Sequence, residues 1–318
     1  NALNENHVVM SVGAAGALNS VFKAILNSED EVIVPCPFFA EYRSYVSNYG
    51  GNLIPVKSKK DFSLDVEAIK NALTSKTTAV LINSPNNPSG KIYSESDIKE
   101  LASVLYEHGK NTGITPYLIC DEPYRAITYN GKKVTSVFPL YDNAVVVTSF
   151  AKNLSLPGER IGFIAVNPKC EDAKEFIAAC TYTTRTLGYV NAPAFFQKVV
   201  AKCWNADVDY SMYTNRCKMI TEVVKNAGIE FVEPEGAFYL FCKAPMPILQ
   251  ENKQFIINNG DEEICDEFAF CDHLKKYNIL CAPGSGFGCP GYFRMAFCVS
   301  ENTIKNCAEP LQLAKQSW

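Results

Sequence analysis

Histidine is scarce: His7, His108 and His273 are the only three in 318 residues, and they are scattered along the chain. That distribution argues against a histidine-based triad or metal site as the organising chemistry. No two of the thirteen cysteines are spaced as C-x-x-C, and most, such as Cys120, Cys242, Cys281 and Cys298, lie inside apolar strand-like runs. They read as buried thiols in a reducing cytoplasm rather than as metal ligands or a disulfide framework. No apolar run reaches membrane-spanning length, and residues 1–7 lack the basic start and apolar core of a signal peptide. The net charge of -4 is spread over interspersed signs, with no basic patch or helix-turn-helix pattern, which argues against a nucleic-acid surface. There are no internal repeats or low-complexity tracts. What remains is a chain that is 47% hydrophobic, long enough to bury one large core and a smaller one.

The most informative stretch runs from Ser149 to Gly162. It carries Lys152 on a Gly/Pro-bearing turn between the apolar segments Ala144–Thr148 and Ile161–Val166. A lysine so placed can form a Schiff base with an aldehyde when burial or a cationic neighbour lowers its pKa. Ser149 and Arg160 beside it are suitable ligands for a phosphate. Aldehyde plus phosphate points to pyridoxal 5'-phosphate (PLP). A surface lysine near an arginine is the other reading that this stretch alone allows.

Further strand ends carry residues of the same kind. Val8–Val12 runs into Gly13-Ala14-Ala15-Gly16 and then into helically spaced Leu18, Phe22, Ile25 and Leu26. This junction suits either an anion at a helix start or tight packing of helix on sheet. The strand from Glu31 ends in Pro35-Cys36-Pro37-Phe38-Phe39, whose prolines hold two aromatic rings at a loop tip. The run Thr78–Ile82 empties into Asn83-Ser84-Pro85-Asn86-Asn87-Pro88-Ser89-Gly90, and Tyr117–Cys120 delivers Asp121-Glu122-Pro123-Tyr124. Non-alternating apolar strands separated by helices predict an α/β fold with a parallel sheet covered on both faces. Ligands of such sheets bind beyond the carboxyl ends of the strands, where Gly13, Phe39, Asn87 and Asp121 are expected to converge.

The pattern changes near Tyr210. Strands are expected at Phe231–Val232, Ala237–Cys242, Ile279–Ala282 and Tyr292–Cys298, interrupted by helices, so residues 210–318 read as a smaller α+β domain after a large α/β domain of residues 1–209. Residues 245–263 read as a polar, irregular surface loop. In the last strand Tyr292, Arg294 and Ala296 share one face. A buried arginine there needs an anionic partner, either a substrate carboxylate or an internal salt bridge.

Taken in order, the motifs S-V-G-A-A-G-A-L (11–18), P-C-P-F-F-A-E-Y (35–42), N-S-P-N-N-P-S-G (83–90), D-E-P-Y (121–124), S-F-A-K with G-E-R-I-G (149–162) and Y-F-R-M-A-F (292–297) resemble those of the class I/II PLP-dependent aminotransferases. The resemblance implies the aspartate-aminotransferase fold, fold type I, with a mostly parallel central sheet flanked by helices and a smaller α+β C-terminal domain. It implies Lys152 as the Schiff-base lysine, Asp121 on the pyridine nitrogen, and Tyr124 and Asn87 on the ring's phenolate oxygen. Phe39 matches the ring-stacking position. The phosphate is expected at the backbone of Ala14 and Ala15, at Ser149 and at Arg160, and the substrate α-carboxylate at Arg294 with help from Asn87.

The implied activity is transfer of an amino group between an L-amino acid, aspartate or a broad range, and a 2-oxo acid, in a cytoplasmic homodimer of amino-acid metabolism that uses neither nucleic acid nor membrane. Members of the family carry a segment before the first strand that this sequence does not contain. Two other activities fit the same residues: a PLP-dependent C-S β-lyase, and an aminotransferase-like effector-binding domain of a regulator. Arg185, flanked by Tyr182 and Tyr189, is placed either to read an acidic substrate side chain in a partner subunit or simply as a solvated charge.

Overall fold

Val32 and Val34 pack into one layer of helices, and Ile33 between them packs into another; Ala79 and Leu81 divide from Val80 and Ile82 in the same way. Both faces of the sheet are therefore covered, which is why its strands are continuous apolar runs. The computed structural model describes residues 2–260 and 262–318; Asn1 and Asp261, which fall within the expected domains and the expected 245–263 loop, lie outside the described residues.

The chain opens with β1 (Val8–Ser11), α1 (Gly13–Ile25), β2 (Glu31–Cys36), α2 (Tyr42–Ser47), β3 (Asn52–Lys57) and α3 (Val66–Ala72). It continues with β4 (Thr77–Asn83), α4 (Glu95–Thr112), β5 (Tyr117–Asp121), β6 (Ala144–Ser149), α5 (Phe150–Asn153), β7 (Gly162–Val166), α6 (Ala173–Thr186) and α7 (Ala194–Cys203). The seven strands form one sheet in the order β1-β7-β6-β5-β4-β2-β3. Strand β7 runs antiparallel to β1 and β6 on either side of it, and the other six share one direction. Helix α1 lies on one face with α2 and α6, fastened by the Ser20 and Thr184 hydroxyls at 3.0 Å. Helices α3 and α4 cover the other face through Ile69, Ile98, Leu101 and Leu105. Helix α4 is bounded by a Ser94 capping box and by Gly113 in the left-handed conformation.

After α8 (Ser211–Asn226) come β8 (Tyr239–Lys243), β9 (Ile256–Asn259), β10 (Glu262–Cys265), α9 (Glu267–Lys275), β11 (Ala282–Pro283), β12 (Tyr292–Ala296), α10 (Glu301–Asn306) and α11 (Ala308–Gln316). Strands β11, β12 and β8 form a small antiparallel sheet. Leu240, Cys242, Phe293 and Met295 face a core closed by Ile220, Phe270, Leu311 and Trp318. Tyr239, Phe241, Arg294 and Tyr292 take the opposite face, toward the large sheet.

Three expectations are corrected. Phe231 makes a single bridge to Cys242 rather than a strand, because Glu235 and Gly236 are drawn instead to the large unit, where both backbone N–H groups donate to the Gly90 carbonyl at 2.9 Å. Residues 279–281 are not a strand: Ile279 N donates to Leu274 O and closes the end of α9, leaving only Ala282 and Pro283 to pair. The 245–263 segment is not irregular throughout. It contains a 3-10 turn and the β9–β10 hairpin, whose Ile257 and Ile264 pair in register within a polar stretch. It is anchored by Ile248 N and Leu249 N, which donate to the Trp318 carbonyl at 3.1 Å. No helix among the described residues is long and apolar enough to cross a membrane.

Candidate active site

The carboxyl ends of β1, β2, β4, β5 and β6 open on one cleft of about 380 Å³, completed from the small sheet by Tyr239 and Arg294. All ten site residues expected from the sequence line it: Ala14, Ala15, Phe39, Asn87, Asp121, Tyr124, Ser149, Lys152, Arg160 and Arg294. Arg185 does not; it is exposed at the end of α6.

At one end of the cleft, α1 begins at Gly13 with no side-chain cap, so its first backbone N–H groups are free for a ligand beside Ala14 and Ala15. Gly13 has φ +69°, and a Cβ there would stand 3.0 Å from Arg160 Nη2. The absent side chain lets the guanidinium lie against the helix start. Arg160 is steadied by a bond from Nη1 to Pro157 O at 2.8 Å. Gly162 serves the same approach from β7, since a Cβ on it would meet the Gly13 carbonyl carbon at 2.9 Å. Ser149, nearly buried, ends β6 with its Oγ accepting from Ala151 N at 3.3 Å. Helix dipole, guanidinium and hydroxyl together suit a phosphate.

The middle of the cleft is organised by Asp121. Its Oδ2 accepts from the fully buried Tyr42 hydroxyl at 2.5 Å, and its Oδ1 is buried with no partner among the described residues. Burial pushes the carboxyl up to about 7, with Glu122 adding to the rise and the Tyr42 hydrogen bond opposing it. Such an oxygen lacks only a donor. Phe39 stands edge-on to Tyr42 with centroids 5.5 Å apart and lines the cleft. Lys152 Nζ sits 5.2 Å from the centre of the Phe238 ring and 5.7 Å from that of Tyr124. Burial lowers its pKa below the ordinary lysine value; the Cys298 thiol opposes this, while the charges of Arg160 and Arg294 add to it. An amine so placed is closer to its nucleophilic form.

At the far end, the Arg294 guanidinium lies between the rings of Tyr239 and Phe287, 4.6 and 4.8 Å from their centres. Its Nη1 donates to Asn87 Oδ1 at 2.9 Å and its Nε is buried without a partner among the described residues. Among the described residues no carboxylate is bonded to it, so of the two partners the sequence allowed, the described residues supply no internal salt bridge. Asn87 is fixed in turn by Asn83, whose Oδ1 accepts from Asn87 N at 2.6 Å and whose Nδ2 donates to Asp121 O at 2.8 Å. Asn83, Tyr42 and Tyr239 are absent from the residues expected by sequence. Tyr239 sits inside an apolar run and Tyr42 at helical spacing with Tyr45, Val46 and Tyr49, so both read as core; Asn83, the last residue of β4, carried a positional signal like that of Asp121.

The model of the aminotransferase class I and II family matches residues 2–311. The chain is 30% identical over 319 residues to an aspartate aminotransferase of Bacillus subtilis, covering 96% of this chain and 75% of that protein. Among solved structures, an aminotransferase of Eubacterium rectale matches with TM-score 0.91 and 36% identity, over 100% of this chain and 76% of its own. The aspartate aminotransferase of Thermotoga maritima matches with TM-score 0.80 and 29% identity, over 97% and 76%.

Proposed function

Because the chain belongs to the class I and II aminotransferases, which use PLP, we propose that the cleft binds PLP with Lys152 as its covalent partner and transaminates L-aspartate among its amino donors. The observation that carries the site assignment is the pairing, in one cleft, of a buried and unpartnered Asp121 oxygen with a lysine amine of lowered pKa. The residues present fit the cofactor. Asp121 would hold the ring nitrogen through its unpartnered Oδ1, Phe39 would lie against the ring, and Tyr124 and Asn87 would serve its phenolate oxygen. The first amides of α1, Ser149 and Arg160 would hold the phosphate. When bound, PLP supplies an aldehyde carbon for covalent attachment and a protonated ring that draws electrons from the substrate's α-carbon.

The chain's own residues do the rest. Arg294 grips the substrate α-carboxylate through Nε and a second nitrogen, its orientation set by Asn87 and the two flanking rings. Lys152 Nζ would take up the proton from the substrate α-carbon as the general base. Burial beside Tyr124 and Phe238 lowers the pKa of that amine from the ordinary lysine value, in the direction that favours its basic form. Lys152→Ala should lose the visible absorbance of the lysine-bound cofactor and reduce transamination by about 10²–10⁴-fold or more. Persistence of that band would remove Lys152 from this role.

The division at residue 210 is supported by separate cores, with Tyr124, Ile127 and Tyr129 of the large unit reaching into the core of the small one. A homodimer is supported by Tyr182, Phe195 and Trp204, apolar side chains 68%, 70% and 66% exposed on and beside α6 and α7. Light scattering should give twice the chain mass; a monomer mass would overturn that assignment. The thirteen free thiols support a cytoplasmic location.

A further inference from the structure

Tyr239 and Arg294 stand on adjacent strands of the small sheet. The register sets Arg294 opposite Phe241 and Ala296 opposite Tyr239, so Tyr239 is the diagonal neighbour of Arg294 on the same face. Its ring lies under the guanidinium at 4.6 Å. The other end of the same side chain crosses to the large unit, where the Tyr239 and Tyr124 hydroxyls are 2.8 Å apart and the two rings meet edge-on. Tyr239 therefore touches both the arginine placed for the substrate carboxylate and the phenol placed for the cofactor ring. Phenylalanine would pack this face equally well, so packing does not account for the hydroxyl.

We propose that Tyr239 is a positioning residue for transamination: its ring orients Arg294 toward the substrate carboxylate, and its hydroxyl aims the Tyr124 hydroxyl at the cofactor. This rests on the reading of the cleft given above. Each phenol has one proton. If Tyr239 donates to the Tyr124 oxygen, the Tyr124 proton is left to point into the cleft, and the two bonds in series polarise each other. The opposite arrangement would turn that proton away. The charged and titratable groups around the pair include Asp121, Arg294 and Lys152 near Tyr124, and Arg294, Cys298 and Glu41 near Tyr239.

Two substitutions separate the contacts. Tyr239→Phe removes the hydroxyl and keeps the ring beneath Arg294, whereas Tyr239→Leu removes both. With the holoenzyme, the pH midpoint of the visible cofactor band should move upward in Y239F by about half a pH unit or more, because a weaker Tyr124 donor leaves more negative charge on the cofactor oxygen. Its KM for L-aspartate should stay within about twofold of wild type, while Y239L shows the same spectral shift and a KM raised about threefold or more. An unmoved midpoint in Y239F overturns the proposal by itself, and so does an equal KM in the two variants. A wild-type protein that binds no PLP or does not transaminate L-aspartate would instead overturn the reading beneath it.

Discussion

Asp121 is held in its protonated form up to near neutrality by burial, and the unfolded chain releases that proton near pH 4. Between those values the folded state binds more protons than the unfolded one, so stability falls as pH rises from about 4 to about 7. Above that range the penalty is complete. Asparagine has no such titration and still accepts from Tyr42. The cofactor-free Asp121→Asn protein should therefore gain on wild type in thermal midpoint between pH 5 and pH 8, by about 2–4 °C or more. An equal difference at both pH values would contradict this origin. Asp121 was legible in the sequence because it follows a buried strand and opens a turn. Its partner Tyr42 was not, since a tyrosine at helical spacing among apolar residues reads as core, and only the fold brings it within 2.5 Å of a residue 79 positions away.

At the level of elements, strand β12 is delivered to the cleft by the loop from Gly284 to Gly291, and that loop is held by one carboxylate. Glu267, 1% exposed in α9, accepts from Ser285 N at 2.9 Å, from the Ser285 hydroxyl and from Gly291 N at 2.9 Å. Glu267→Ala strands the buried Gly291 N–H and the part-buried Ser285 N–H and should destabilise the protein by about 2–4 kcal/mol, measured by urea unfolding. A loss under about 0.5 kcal/mol would mean that water replaces the carboxylate. The parallel strands and most helices were legible because burial on both sides leaves an unbroken apolar signature. The short strands of the small unit were less so. Phe231 and residues 279–281 have strand-like composition, but their backbones are claimed by the link to the large unit and by the end of α9. Hairpin β9–β10 went the other way, its pairing hidden by asparagine and glutamate on its open face.

Across the whole molecule, the order of motifs was readable far ahead of their distances. Five strand ends meeting at one edge follow from parallel topology alone, whereas the contribution of Tyr239 depends on how the small sheet docks, a geometry that no local pattern encodes. That docking has a further consequence at the turn of residues 83–90. The Gly90 carbonyl accepts from both Glu235 and Gly236, while Asn87, three residues earlier, accepts from Arg294. One oxygen shared by two amides makes them a matched pair of reporters: whatever frees one frees the other, so their protons should trade with deuterium under a single protection factor. Adding L-aspartate should slow both by the same multiple as Arg294 and Asn87 close on its carboxylate. Two amides drifting apart in an exchange experiment would mean that the grip and the strap move separately.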